Sequence, residues 1–122
     1  MYEVTIRKSF SAAHLLREIG GKCETLHGHN FRVEVSAAGN ELNGEGVLID
    51  FRLLKRWTDE VLDGLDHKYL NELESFRNLN PSSEQIARFL YEAIGARARQ
   101  DGVRLSRVTV WESDNACVTY SP

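Results

Sequence analysis

The sequence predicts an α+β domain in which a four-stranded antiparallel sheet carries two helices on one face. Two long segments near the N-terminus alternate apolar and polar residues, as strands do. Two amphipathic segments with apolar residues at steps of three and four follow, and two shorter alternating segments end the chain. The predicted order is therefore ββααββ, and a length of 122 residues indicates one domain over residues 1–122.

The first two strands are predicted at residues 2–13 and 27–38. The alternate positions that form the apolar face of the first strand end at His14, and those of the second strand begin with His27 and His29. If the strands pair antiparallel, the end of the first lies beside the start of the second. Three of the chain's four histidines can therefore converge at one end of the hairpin.

Converging histidines at this position predict a metal site. Alternate residues of a strand point to one face, so His27 and His29 project together. A single histidine on an apolar face, such as His14 alone, is typical of a hydrogen-bonded core residue. Three buried imidazoles without a shared partner would waste hydrogen-bonding capacity. Three nitrogen ligands with an open fourth position are typical of catalytic zinc, so we expect Zn²⁺.

The first helix is predicted to begin after Asp50, a favourable N-cap residue. Its apolar face consists of Leu54, Trp57, Val61 and Leu65.

The second helix is predicted to begin within residues 80–84, with Pro81 in the first turn, and to stop at Gly102. The last two strands are predicted at residues 104–113 and 116–121. Cys117, in the last strand, is expected in the core.

Composition excludes several classes of partner. The net charge of −3 argues against nucleic acid as a partner, and no apolar run reaches the length of a membrane span. The N-terminus alternates charged and apolar residues, unlike a signal peptide. Two cysteines without an export signal favour free thiols in a reducing compartment, which predicts a cytoplasmic protein.

Five motifs occur in order along nearly the whole chain, and as a set they are specific. The set resembles the 6-pyruvoyl-tetrahydropterin synthase family, which includes bacterial 6-carboxy-tetrahydropterin synthases of the queuosine pathway. The motifs are Phe10-Ser11-Ala12-Ala13-His14, the Cys-x-x-x-His-Gly-His run of residues 23–29, Leu65-Asp66-His67, Asn80-Pro81-Ser82-Ser83-Glu84 and Val110-Trp111-Glu112.

The resemblance implies an assembly and a reaction. Family subunits adopt the T-fold (tunnelling fold), join edge to edge as trimers that close a barrel, and stack two trimers into a hexamer. The implied substrate is 7,8-dihydroneopterin triphosphate, with zinc held by the three histidines. Triphosphate would be eliminated and the side chain cleaved to give 6-carboxy-tetrahydropterin and acetaldehyde.

The resemblance also implies roles for individual residues. Cys23 would be the general base, and Asp66 and His67 would complete a proton-transfer set shared across a subunit interface. Glu112 would anchor the pterin ring, and Glu84 would be a second-line site residue. The residues alone also allow an inert loop cysteine, a turn-forming Asp66 beside a helix-capping His67, a salt-bridged Glu112 and a helix-start Glu84. Because adjacent side chains rarely hydrogen-bond each other, Asp66 and His67 are expected to have different partners.

Glu24 departs from the simplest form of the pattern. Some family members have glutamate in place of the cysteine and produce a hydroxymethyl-dihydropterin for folate synthesis, so Cys23 beside Glu24 resembles a dual type. The alternative for Glu24 is a surface loop residue. A non-catalytic zinc- or pterin-binding subunit is a third hypothesis. Arg17, Lys22 and Lys68 are candidates to face the triphosphate.

Overall fold

The computed structural model describes residues 1–17 and 26–122. Lys22, Cys23 and Glu24 therefore lie outside the described residues. The long elements occur in the predicted order, and their ends lie within a few residues of the predicted ones. They are β1 (Tyr2–His14), β2 (His27–Gly39), α1 (Phe51–Leu62), β3 (Lys68–Tyr69), two 3-10 turns (Leu70–Glu72 and Glu74–Phe76), α2 (Ser83–Gln100), β4 (Leu105–Ser113) and β5 (Ala116–Tyr120).

Over residues 1–17 and 26–122 the sheet has five strands in the order β3-β1-β2-β4-β5, so the predicted count of four was wrong. The four long strands are antiparallel, as predicted. The extra strand, β3, pairs in parallel with β1 opposite Ala12 and Ala13. It is two residues long, too short for an alternating pattern to be visible in the sequence. Its position extends the sheet beside the end of β1 that carries His14.

Both helices pack on one face of the sheet, because the apolar side chains of every long strand point to that face. The fully buried side chains of this core include Phe31, Leu54 and Ile86. Asp50 caps α1 by accepting from the Arg52 N–H at 2.8 Å, as its N-cap position predicted. No helix within the described residues has the length and apolar character needed to cross a bilayer.

The second helix begins at Ser83, within the predicted range, but Pro81 lies outside it. Ser82 is its N-cap, accepting from the Gln85 N–H at 3.2 Å, so Pro81 precedes the helix instead of lying in its first turn. The Pro81 carbonyl is therefore not used in a hydrogen bond of the helix and points to another element. The predicted stop is confirmed, since Gly102 adopts a positive φ of 74° just after the last turn.

The opposite face of the sheet is polar. Arg107 Nη2 donates to Glu3 Oε1 at 2.9 Å, and the Trp111 indole N–H donates to Glu34 at 2.6 Å. Cys117 lies on this side of β5 and is exposed, so its predicted place in the core was wrong. Directly paired residues lie on the same face of a sheet, and Cys117 is paired with Trp111, whose side chain lies on the polar face.

Candidate metal centre

The three predicted histidines converge at the end of the β1–β2 hairpin. The antiparallel register pairs His14 directly with His27 and Ala12 with His29. The imidazole centroids lie 4.4 Å apart for His14 and His27, 4.7 Å for His27 and His29, and 5.3 Å for His14 and His29. Phe31 packs edge-on beneath His14 and His29 at 5.5 and 5.4 Å, so the cluster lies on the aromatic end of the core.

The ring of His14 is fixed by a backbone group. His14 is fully buried, and its Nδ1 lies 2.7 Å from the carbonyl oxygen of Pro81. A carbonyl can only accept, so Nδ1 carries the proton of the neutral imidazole and Nε2 is left with its lone pair. Among the described residues, the Nε2 atoms of His14 and His29 are buried without a hydrogen-bond partner. Both nitrogens are therefore available as metal ligands.

Glu112 adds a carboxylate to the cluster. Its Oε1 lies 3.2 Å from His14 Nε2 and 3.2 Å from His29 Nε2, although neither contact has hydrogen-bond geometry. One donor atom from each of the four residues lies within 4.8 Å of the others. Bonds of roughly 2.0–2.1 Å in a tetrahedral zinc site separate neighbouring ligand atoms by about 3.3–3.4 Å. The carboxylate contacts match that separation.

The electrostatics of the cluster favour a cation. Burial lowers the pKa of His29, and the positive charges that His14 and His27 would carry lower it further, while Glu112 acts in the opposite direction. With its proton on Nδ1, His14 turns the electron pair of Nε2 towards the carboxylate. Electron-rich atoms at this distance repel unless a positive charge lies among them. The donor set of imidazole and carboxylate fits zinc.

Asp66 and His67 form a second constellation at the edge of β1. Asp66 Oδ1 accepts from the Ser11 N–H at 2.8 Å, and the His67 N–H donates to the Ser11 carbonyl at 2.6 Å. The Ser11 amide is the main cause of the lowered pKa of Asp66, and His67 lowers it further. Asp66 is therefore a carboxylate at neutral pH.

Asp66 has a hydrogen-bond partner of its own in Ser11, as expected, but its other carboxylate oxygen also lies within ion-pair distance of His67. His67 Nδ1 lies 3.1 Å from Asp66 Oδ2. The cause is the backbone of His67, whose φ of 60° is left-handed and unusual for a residue with a side chain. Asp66 thus orients an imidazole whose side chain is 81% exposed.

A cavity of about 480 Å³ adjoins both constellations, because His29 and His67 line it. Lys68, a candidate to face the triphosphate, also lines this cavity. Arg17 contributes backbone contacts to Asn80 near the same strand end. Glu84 is exposed in the first turn of α2 and is not part of the four-residue cluster. Cys23 and Glu24 fall outside the described residues.

Sequence reasoning missed the contribution of Glu112 to the histidine cluster and the orienting role of the Pro81 carbonyl. The signal for Glu112 was its parity with Val108 and Val110, which placed it on the core face. For Pro81 no local signal existed, because its partner, His14, lies 67 residues away in the chain.

Comparison with known proteins places the chain among pterin enzymes. The family model described as 6-pyruvoyl tetrahydropterin synthase matches residues 3–122. A 6-carboxy-5,6,7,8-tetrahydropterin synthase from Bacillus subtilis is 35% identical over 100 residues, which span 78% of this chain and 66% of that protein. A dihydroneopterin monophosphate aldolase from Pyrococcus furiosus is 37% identical over 91% of this chain and 90% of its own length.

A solved structure extends the similarity to the whole fold. The 6-pyruvoyl tetrahydropterin synthase of Caenorhabditis elegans superposes with a TM-score of 0.86 at 30% identity, covering 100% of this chain and 97% of that one. The likeness confirms the α+β T-fold. With the family match over nearly every residue, it shows that the chain belongs to the 6-pyruvoyl tetrahydropterin synthase family.

Proposed function

We propose that this chain is a zinc-dependent 6-carboxy-5,6,7,8-tetrahydropterin synthase that acts on 7,8-dihydroneopterin triphosphate in queuosine biosynthesis. The observation that carries the proposal is the cluster of three histidines and Glu112 beside a cavity that His67 also lines. The Bacillus subtilis relative, named as such a synthase, supports this choice of reaction within the family. The reaction eliminates triphosphate and cleaves the side chain, releasing acetaldehyde.

The zinc ion would be held by His14, His27 and His29. A bound zinc ion supplies Lewis acidity, which polarises the hydroxyl oxygens of the substrate side chain and eases proton removal beside them. The buried His14 holds its Nε2 towards the site through the Pro81 carbonyl. Glu112 offers a carboxylate that can accept hydrogen bonds from the amino group and the adjacent ring N–H of a pterin.

Proton transfer would use Cys23, Asp66 and His67. A thiolate at Cys23 removes a side-chain proton, since a nearby cation brings a thiol pKa of about 8.5 towards neutrality. Asp66 stays anionic and holds Nδ1 of His67, so Nε2 of that ring can deliver or accept a proton during the rearrangement. Glu84 is retained as a peripheral candidate, with an exposed side chain at the start of α2.

Product analysis tests the proposal. Purified protein loaded with zinc is incubated with 7,8-dihydroneopterin triphosphate, and the pterins are identified by chromatography and mass spectrometry. We expect 6-carboxy-tetrahydropterin and acetaldehyde in equal amounts. A zinc-loaded protein that leaves the substrate unchanged would refute the assignment.

A second candidate is the folate-type or dual activity, which would release 6-hydroxymethyl-dihydropterin with Glu24 as the base. The Pyrococcus furiosus relative favours it, because its name describes an aldolase acting on a dihydroneopterin phosphate. Hydroxymethyl-dihydropterin as the main product of the same incubation would select this candidate. A non-catalytic zinc- or pterin-binding subunit is the third candidate, and the paired Asp66 and His67 argue against it.

We also propose that the protein works as a hexamer of two trimers. The short β3 and the strand β5 form the two edges of the sheet and expose backbone groups that another copy can pair with. The exposed Cys117 is a free thiol, which suits a reducing compartment such as the cytoplasm.

A further inference from the structure

We propose that Asn71 and Asn80 are positioning residues of the metal centre, holding the chain just beyond His14 and thereby the ring of His14. The inference rests on the metal site of the proposed function and concerns how that site is built. It is carried by paired side-chain-to-backbone hydrogen bonds made by the two asparagines.

Each asparagine binds both backbone groups of one residue. The Asn71 carboxamide accepts from the Leu15 N–H and donates to the Leu15 carbonyl, both at 3.0 Å. The Asn80 carboxamide accepts from the Arg17 N–H at 2.8 Å and donates to the Arg17 carbonyl at 2.9 Å. A carboxamide has one acceptor and one donor group in the spacing of a peptide, so each asparagine acts as a one-residue strand neighbour.

The two contacts continue one edge of β1 beyond its last residue. In an extended chain the backbone groups of alternate residues point to the same side. Ser11 uses that side to bind Asp66 and His67. Leu15 and Arg17 have the same parity as Ser11 and receive the asparagines instead. This edge of β1 is therefore hydrogen-bonded both before His14, at Ser11, and after it, at Leu15 and Arg17.

The Asn80 contact is also joined to the metal centre through the next residue. Pro81 accepts from His14 Nδ1 at 2.7 Å, so the dipeptide of residues 80–81 contacts both Arg17 and the ring of His14. Asn71 is only 6% exposed and Pro81 is buried, so water has little room to replace the Asn71 contact or the hydrogen bond between Pro81 and His14, whereas the hydrogen bonds between Asn80 and Arg17 are exposed. A hydrogen bond to the second nitrogen of a ligating imidazole fixes its orientation and its protonated nitrogen.

The carboxamides therefore set the direction of His14 Nε2 towards His29 and Glu112. Loss of such an outer hydrogen-bonding partner weakens metal binding by about tenfold to a hundredfold in metalloproteins. Asn71 and Asn80 bind the backbone beyond His14 and not its ring, so we expect Asn80→Ala and Asn71→Ala to weaken zinc binding by about threefold to tenfold, at or below the lower end of that range. Asn78→Ala, at an exposed position in the same loop as Asn80, should leave zinc binding unchanged.

The experiment measures the zinc dissociation constant of each full-length variant by competition with a coloured chelator. The visible absorption spectrum of the Co²⁺-loaded protein is recorded as well, since it reports ligand geometry independently of activity. We expect weaker zinc binding and an altered cobalt spectrum for both alanine variants. The thermal midpoint of the metal-free variants separates a general loss of stability from an effect on the metal centre.

Two outcomes would overturn the inference. One is a dissociation constant within twofold of the parent for Asn80→Ala and Asn71→Ala. The other is a lower thermal midpoint with an unchanged dissociation constant and cobalt spectrum. If an alanine variant does not fold, Asn80→Asp keeps the acceptor for the Arg17 N–H and replaces only the donor, and the same criteria apply. If His14→Ala binds zinc as tightly as the parent, the metal site of the proposed function has failed instead.

Discussion

Binding of zinc should raise the free energy of unfolding and the thermal midpoint of the chain, and the size of both effects can be estimated. His14 lies on β1 and His27 and His29 on β2, so a bound ion would link two strands that separate on unfolding. A ligand that binds only the folded state, at a hundredfold excess over its dissociation constant, adds about 2.7 kcal/mol to the free energy of unfolding. Unfolding entropy is about 2.1 cal/mol/K per residue, or about 0.26 kcal/mol/K for this chain. The expected rise in thermal midpoint is therefore roughly 10 °C.

Differential scanning calorimetry of the chelator-stripped protein, with and without added zinc, measures this shift. His27→Ala is the control, because it removes one ligand near the exposed end of the cluster, and its midpoint should not rise with zinc. Mg²⁺, which prefers oxygen ligands, should not raise the midpoint of the parent. An unchanged midpoint in the parent, or an equal zinc-induced rise in His27→Ala, would refute the metal assignment.

Four further predictions concern catalysis, stability and assembly. Cys23→Ala should lower formation of 6-carboxy-tetrahydropterin by about a hundredfold to ten-thousandfold while zinc content, measured by atomic absorption, stays unchanged. Glu24→Ala should remove only hydroxymethyl-dihydropterin, and equal yields of every product would leave Glu24 without a catalytic role. The pKa of Asp66 lies below its ordinary value of 3.8, so its contribution to stability is present above that value and is lost as pH falls through the lowered pKa. Unfolding titrations should therefore show the Asp66→Asn difference at pH 7 and its disappearance at strongly acidic pH. Light scattering should give a mass about six times 13.9 kDa, and a fully active 13.9 kDa monomer would contradict the hexamer.

The long elements could be predicted because their periodicity is local. Thirteen-residue strands and amphipathic helices repeat their pattern often enough for the parity of each to be read without any tertiary contact. The two residues of β3 carry no such pattern, and their pairing with Ala12 and Ala13 depends on where α1 returns the chain. The sequence also could not show that Pro81 precedes α2 instead of lying in its first turn, since Ser82 and Pro81 are both acceptable at a helix start.

The histidine cluster could be predicted because parity and antiparallel pairing together determine it. Antiparallel pairing of consecutive strands brings the end of β1 beside the start of β2, and the observed register pairs His14 directly with His27. The contacts of Asn71 and Asn80 follow no such rule. Asparagine in a loop usually indicates a turn, and nothing local shows that its carboxamide binds a backbone 56 or 63 residues away.

The position of Glu112 could be predicted from the alternation of β4, but its contacts could not. Its place on the core face of β4 could be predicted, and a carboxylate there needed a partner. Under the proposed function Glu112 would lie at the metal site and also anchor the pterin, and its two carboxylate oxygens differ in their contacts. Both contacts with histidine nitrogens use Oε1, so Oε2 remains able to accept from a substrate N–H. If the proposed function holds, one carboxylate could therefore lie beside the histidine nitrogens and also accept from the pterin ring, whereas glutamine would supply only one acceptor oxygen.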